Sequence, residues 1–500
     1  MSYAQVRAVA LVGMVGQVVV VESDVAKGLP SLVLTGLPDA ALSQARDRVR
    51  AAVVNSGEAW PQRRLTVNLL PAHLPKHGSS FDLAIAASLL AAAGVIPAEP
   101  LREAVLIGEL GLDGAVRPVR GVLPAVVAAM REGLRYAVVP VANAAEAALV
   151  PGIVVQATDT LLRFIDFLRC DGPLLDPPSV ALPAPPDGPD LADVLGQDRG
   201  RRAVELAAAG GHNLALFGPP GAGKSMLAQR LPGLLPPLSD EEALEVTAVH
   251  SLVGALPPEC PLIRRPPFQA PHHTASVAAM VGGGHGIGRP GALTRAHNGV
   301  LFLDEAPEFS VAALEALRQP LEEGVVRISR SRAEREYPAR IQLVLAANPC
   351  PCARPGGDQY CDCSPWVRRR YLSRLSGPLL DRIDLQVKLT PARPAAVLGA
   401  EAGESSAAVA ARVATARAAA AERWNATNAG VPARTLRDAR FRLAREATAP
   451  LAKDLDRGLI SARGHNRVLR VAWTMSDLDG RAFPDLNDVC EALDLRRGTR

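Results

Sequence analysis

The stretch Gly218-Pro219-Pro220-Gly221-Ala222-Gly223-Lys224-Ser225 decides how the rest of the chain is read. It follows the apolar run Leu214-Ala215-Leu216-Phe217 and precedes the helix-like Met226-Leu227-Ala228-Gln229-Arg230. Strand, glycine-rich turn and helix start are the context that a G-x-x-x-x-G-K-[ST] motif requires. The glycines let consecutive backbone N–H groups curl around an anion, and the helix N-terminus adds partial positive charge. Lys224 is placed to reach the β- and γ-phosphates and the Ser225 hydroxyl to ligand Mg²⁺. The eight residues therefore predict binding of ATP or a close relative.

Five hundred residues with a hydrophobic content of 48% and an aromatic content of 4% predict two to four α/β domains packed through Ala, Val and Leu. A net charge of +4 singles out no partner class, because a nucleic-acid surface needs only a local cluster of arginines. The runs Leu11–Val21 and Leu83–Ala98 are broken by Gly or Pro and are too short to span a bilayer. Seven cysteines without a secretory leader point to a reducing compartment, so the expectation is a cytoplasmic protein with no membrane contact.

Residues 1–170 alternate Val/Ile-rich runs with Ala-rich ones. Strands are expected at Gln17–Val21, Ser31–Leu34, Arg64–Asn68, Ala104–Ile107 and Tyr136–Val139. Helices are expected at Ala40–Asn55, Phe81–Ala93, Val122–Glu132 and Thr158–Leu168. A proline-rich linker follows over 171–189, then a nucleotide-binding α/β core over 190–390. The last part, 391–500, reads as helical, with Ala407–Asn425, Leu436–Glu446, Ala452–Arg457 and Ser461–Leu478.

Beyond the loop, Val300-Leu301-Phe302-Leu303-Asp304-Glu305 is an apolar strand that ends in two carboxylates. A buried parallel strand of this kind delivers Asp304 beside the Mg²⁺ and Glu305 beside the attacking water. Ile341–Ala347 ends on Asn348, where an amide can hold that water or merely cap the turn before Pro349. Cys350, Cys352, Cys361 and Cys363 form two tight pairs that can complete a Zn²⁺ shell or stay as four reduced thiols. Five arginines, Arg327, Arg330, Arg332, Arg335 and Arg340, fall within Val325–Arg340, where Glu334 and Glu336 also allow a plain solvated face. Gly282–Arg289 reads as a mobile loop.

Loop, Asp-Glu strand and Asn strand in this order resemble an AAA+ ATPase. The words Gly196-Gln197, Ala270-Pro271-His272-His273-Thr274-Ala275-Ser276, His297-Asn298-Gly299, Asn348-Pro349-Cys350-Pro351-Cys352 and Leu375-Ser376-Gly377-Pro378-Leu379-Leu380-Asp381-Arg382-Ile383-Asp384 resemble its magnesium-chelatase-like branch, and within it the YifB/ComM family. The resemblance covers nearly the whole chain. It implies that Arg382 completes a neighbour's site as a finger, where the bland reading is a surface pair with Asp381 or Asp384. It also implies that Arg463, opening a lid helix, reaches the nucleotide from above, and that the protein works as a ring, by analogy a hexamer. Arg368-Arg369-Arg370 is then expected to serve subunit contacts near the finger, and the arginine-rich hairpin to face a central channel. ComM-type members imply a translocase acting on branched or single-stranded DNA, migrating branches in homologous recombination and natural transformation. A chelatase-type motor subunit and a protein-remodelling ATPase are the alternatives. Gly108–Leu123 resembles the Lon-protease-like, ribosomal S5 domain 2-like fold. Its serine survives within Lys76-His77-Gly78-Ser79-Ser80, but the base position falls on Leu123, so no peptidase activity is expected.

Overall fold

The computed structural model describes residues 2–36, 42, 44–178, 188–257, 260–283, 289–330, 333–354, 361–391 and 403–497. The first layer is built from β1 (Tyr3–Val12), β2 (Val15–Ala26), β3 (Ser31–Thr35), β4 (Arg64–Leu70), β5 (Ala104–Leu106), β6 (Tyr136–Pro140) and β7 (Val154–Thr158). They form one mixed sheet in the order β3-β4-β2-β1-β5-β6-β7. β1 and β2 pair antiparallel across a two-residue turn, which Gly13 makes possible with φ +65. The Ala-rich helix α2 (Asp82–Ala92) is buried on every side beneath β1 and β2, whereas α1 (Ala45–Asn55) buries only one stripe. Helices α3 (Val122–Arg131) and α4 (Leu161–Leu168) complete this unit.

β1 and β7 are among the elements here that were not expected. β1 alternates through small residues, Ala4, Val6 and Ala8, so its period of two is muted. β7 takes Thr158, which the helix expectation had claimed; Thr160 caps α4 by accepting from the Arg163 N–H, so the helix starts at Leu161.

The second sheet holds β8 (Leu214–Phe217), β9 (Phe268–Gln269), β10 (Gly299–Leu303), β13 (Ile341–Ala347) and β14 (Leu385–Lys388), with a hairpin of β11 (Val325–Arg330) and β12 (Ala333–Pro338) inserted before β13. All five strands are parallel, in the order β9-β10-β13-β8-β14. Side chains alternate between two cores. Leu214, Leu216, Val344 and Val387 face one, with α5 (Asp198–Gly210) and α6 (Lys224–Leu234); Ala215, Phe217, Leu301 and Leu345 face the other. Helix α7 (Asp240–Val253) carries a full capping box, Ser239 with Glu242, and packs against α3 of the first unit. Helix α8 (Pro365–Leu372) follows β13.

The chain closes with α9 (Ser406–Trp424), α10 (Arg445–Asp456), α11 (Ala462–Leu478) and α12 (Leu486–Arg497). α9 packs on α5 and α6, and α11 on α5, so they share a core with the sheet. Trp473 anchors them, with Trp424 at 5.2 Å, Phe483 at 5.4 Å and Phe441 at 6.3 Å between ring centroids. The helix expected over Leu436–Glu446 is not formed. Asp438 instead accepts from the Arg440 N–H and opens a 3-10 turn, Ala439–Phe441, that swings Phe441 onto the tryptophans.

Candidate active site

β8, β13 and β14 end together, with Phe217 opposite Ala347 and Lys388. The phosphate-binding loop leaves from this edge. Gly221 and Gly223 hold φ of +76 and +83, and a Cβ on Gly218 would stand 2.8 Å from the Leu389 carbonyl oxygen. Lys224 opens α6 and is buried. Its Nζ donates to the carbonyls of Gly218 at 2.7 Å and Pro219 at 2.9 Å, and to Asn348 Oδ1 at 2.9 Å. Burial lowers its pKa, opposed by the charges of Asp304 and Glu305. Ser225 Oγ donates to Asp304 Oδ2 at 2.7 Å. Loop, Asp-Glu strand and Asn strand therefore meet as expected.

The hydroxyl of Ser225 and the carboxylate of Asp304 are a hard-oxygen pair of the kind Mg²⁺ takes. Glu305 sits at φ +50, a conformation non-glycine residues rarely adopt, and half of its side chain is exposed. Its own N–H donates to Asp304 Oδ1 at 2.9 Å. His273 Nδ1 lies 3.4 Å from Glu305 Oε2, with the His272 ring 4.1 Å behind it. Sequence reasoning gave this histidine no role. The signal was there in the paired histidines of Ala270–Ser276, but only the fold brings them to Glu305.

Arg382 and Arg463 lie elsewhere. β14 begins at Leu385 opposite Leu214, so Arg382, three residues earlier, stands at the start of the strands and not at their end. β8 separates the two edges by about 10 Å of extended backbone. Arg382 is buried, with Nη2 2.8 Å from Glu322 Oε1, Nη1 donating to the Pro378 carbonyl at 2.8 Å, and Nε to that of Arg318 at 3.2 Å. Its partner is thus Glu322 and neither Asp381 nor Asp384. Arg463 Nη2 reaches the same Glu322 oxygen at 3.1 Å. α11 brings Arg463 to the far edge beside Arg382, so it does not stand above the phosphate-binding loop of the same chain.

The four cysteine sulfurs lie within 4.8 Å of one another, with Cys350–Cys352 at 3.0 Å, Cys350–Cys361 at 3.2 Å and Cys352–Cys361 at 3.5 Å. A tetrahedron of Zn–S bonds near 2.3 Å has sulfur–sulfur edges of about 3.8 Å, so the quartet fits a metal after a small outward relaxation. Cys350 is buried, which pushes its thiol up to about 12, while the hydrogen bond from Cys350 and the Arg354 N–H pull Cys352 down to about 7. Cys350 stands two residues past Asn348, so the quartet fixes the end of that strand. Helix α8 follows on the same edge: Tyr371 is buried near Glu308, Glu305 and Cys350, and Arg374 pairs with Glu308 at 3.5 Å. Arg368, Arg369 and Arg370 are therefore on the phosphate-loop side, not beside Arg382. Trp366 is exposed, with Arg370 5.2 Å over its ring.

In the hairpin, Arg327 pairs with Glu323 and, at 3.3 Å, with Glu336; Arg340 pairs with Glu245. Arg332 and Gly284–Gly288 lie outside the described residues, as does the Arg330 side chain. In the first unit, Ser79 Oγ donates to Glu109, and Leu123 is buried. Lys76 is fully buried and donates to the carbonyls of Gly36 at 3.0 Å, Leu69 at 2.8 Å and Pro71. Among the described residues, no helix is long and apolar enough to cross a membrane.

Comparison with known proteins identifies the family. Residues 190–397 match the family model for magnesium chelatase, subunit ChlI; residues 21–143 match that for subunit ChlI of Mg-chelatase; residues 403–496 match the ChlI C-terminal model. An uncharacterized protein of Mycobacterium tuberculosis is 54% identical over 99% of both chains. The uncharacterized protein YifB of Escherichia coli is 44% identical over 99% of this chain and 97% of its own. The competence protein ComM of Haemophilus influenzae is 41% identical over 100% of this chain and 98% of its own. A Lon protease of Roseiflexus castenholzii is similar over 35% of this chain, at 33% identity. The chain belongs to the magnesium-chelatase-like AAA+ ATPase family that includes YifB and ComM.

Proposed function

We propose that the protein is an ATP-hydrolysing motor of the magnesium-chelatase type, working as a closed ring in which each triphosphate site is shared by two subunits. One observation carries this reading. Lys224, Ser225, Asp304 and Asn348 meet at one edge of the parallel sheet, while Arg382 and Arg463 meet on Glu322 at the other. A single chain thus holds both halves of a phosphoryl-transfer site facing apart, and head-to-tail closure brings unlike halves together.

In this reading Lys224 grips the β- and γ-phosphates, and Ser225 and Asp304 hold Mg²⁺, which when bound neutralises phosphoryl charge. Glu305 accepts the proton of the attacking water, and His273 steadies its carboxylate. Asn348 orients that water. Arg382 and Arg463 of the adjoining subunit exchange Glu322 for the γ-phosphoryl oxygens, whose spread charge suits planar guanidinium groups. The cysteine quartet holds a structural Zn²⁺ that pins the loop after Asn348.

The three family matches favour mechanical work on a partner macromolecule, as in a chelatase motor. A second reading, translocation along branched or single-stranded DNA, draws support from the β11–β12 hairpin and from the competence name of the full-length Haemophilus relative. The first unit, with Ser79 on the Glu109 carboxylate and Lys76 engaged by three backbone carbonyls, suits a Lon-like scaffold without peptidase chemistry. ATP turnover with and without a four-way DNA junction decides between the loads, repeated for Arg330→Ala with Arg332→Ala. Stimulation that the double variant abolishes supports translocation; no binding and no stimulation leaves the chelatase-type reading.

A further inference from the structure

α9 and α11 enclose a cleft of about 700 Å³ against the starts of the second sheet's strands, the edge opposite Lys224. Besides Arg340 at the rim, three guanidinium groups line it: Arg417 from α9, and Arg467 and Arg470 from neighbouring turns of α11. Arg417 Nε donates to the Ala208 carbonyl at 2.8 Å and Arg470 Nη2 to the Val431 carbonyl at 2.6 Å. Arg467 Nη1 donates to Asp384 Oδ1 at 2.5 Å. The Nε atoms of Arg467 and Arg470 are buried with no hydrogen-bond partner.

Against these three charges stands one buried carboxylate. Asp384 is already shared with the Asn213 N–H at 2.9 Å and lies 3.8 Å from His212 Nδ1. His212 supplies no compensating charge. Of the acids at the rim, Glu322 is held by Arg382 and Arg463 and Glu323 by Arg327, whereas Glu242 takes the Ser239 N–H of the capping box and keeps its negative charge toward Arg417. Arg340 is held by Glu245. Three guanidinium groups thus meet two carboxylates, Asp384 and Glu242, and one positive charge faces a partly enclosed space without a carboxylate of its own, an arrangement that an added anion completes.

We propose that this cleft is a second anion site, which takes a phosphoryl group on Arg417, Arg467 and Arg470. Planar guanidinium groups with unused N–H donors match tetrahedral phosphoryl oxygens better than chloride. The site stands behind the sheet, apart from the loop that holds the triphosphate of the same chain. Its occupant bridges the C-terminal helices to the strand edge that carries Arg382. The proposal does not depend on the nature of the load. Free phosphate and the phosphodiester backbone of a nucleic acid share the required chemistry.

The test uses the full-length chain carrying Lys224→Ala, which removes the phosphate grip of the loop. Sodium phosphate is titrated calorimetrically at constant ionic strength, and a single-stranded oligonucleotide is titrated separately and in competition. The expected result is one phosphoryl ligand per chain, weakened at least tenfold by adding Arg470→Gln or, if that variant does not fold, Arg417→Gln. Competition by the oligonucleotide identifies the backbone as the source; binding of phosphate alone identifies the free anion. Absence of heat from both ligands, or affinity unchanged by the arginine variants, overturns the proposal.

Discussion

Lys224 and Asn348 share a hydrogen bond across 124 positions of sequence, and Ser225 and Asp304 share one across 79. Each of these residues was legible from a local pattern: Asp304 and Asn348 directly follow apolar strands, and Lys224 and Ser225 open the helix after the glycine-rich turn. The base is tested by Glu305→Gln, which should keep nucleotide binding and lose at least about a hundredfold in turnover; turnover near wild type would reject the assignment. Glu322 was not legible, since an acid in Pro320–Glu323 reads as ordinary surface charge until the fold lays Arg382 and Arg463 against it. His212 gives a pH test. Burial holds its pKa at about 4, below the ordinary 6.5, so the unfolded chain takes up the proton first as pH falls. Its contribution is complete above pH 6.5 and is lost toward pH 4, by about 3 kcal/mol. Denaturation across this range should show a shallower fall for His212→Gln; identical slopes would contradict the account.

Elements explain why some expectations failed. β1 was hidden by its alanines, and the turn at Asp438 by a helix-like composition that the tryptophan cluster overrides. Position 210, the last of helix α5 before the left-handed Gly211, requires glycine, because a Cβ there would fall 2.1 Å from His212 Nε2 and 2.4 Å from Thr474 Oγ1. Gly210→Ala should therefore cost about 1–3 kcal/mol by overpacking, read as a lower Tm; an unchanged Tm would show that α11 yields freely. The cysteine quartet was readable as spacing, whereas its closeness to Asn348 was readable only as a fold. Metal analysis of protein purified without chelator should find one zinc per chain, and Cys350→Ser with Cys361→Ser should release it and slow ATP turnover. Turnover unaffected by loss of the metal would separate the quartet from the nucleotide site.

At the scale of the whole molecule, strand order decides which arginines can meet which phosphate. The order β9-β10-β13-β8-β14 sends the chain from the phosphate-loop edge at Asn348, through α8, back to the opposite edge at Arg382. No pattern within Leu375–Asp384 reveals that crossing, and the packing of α11 behind the sheet is equally invisible to periodicity. The proposed consequence is a division of labour between subunits, which subunit mixing tests directly. Glu305→Gln disables a chain's own loop side, and Arg382→Ala disables the side it offers a neighbour, so each variant alone should be inactive. Mixed in equal amounts and allowed to reassemble, they should regain about a quarter of wild-type ATP turnover, because random closure restores one interface in four. A mixture as inactive as its components, or an Arg382→Ala protein that turns over at the wild-type rate, would contradict the shared site.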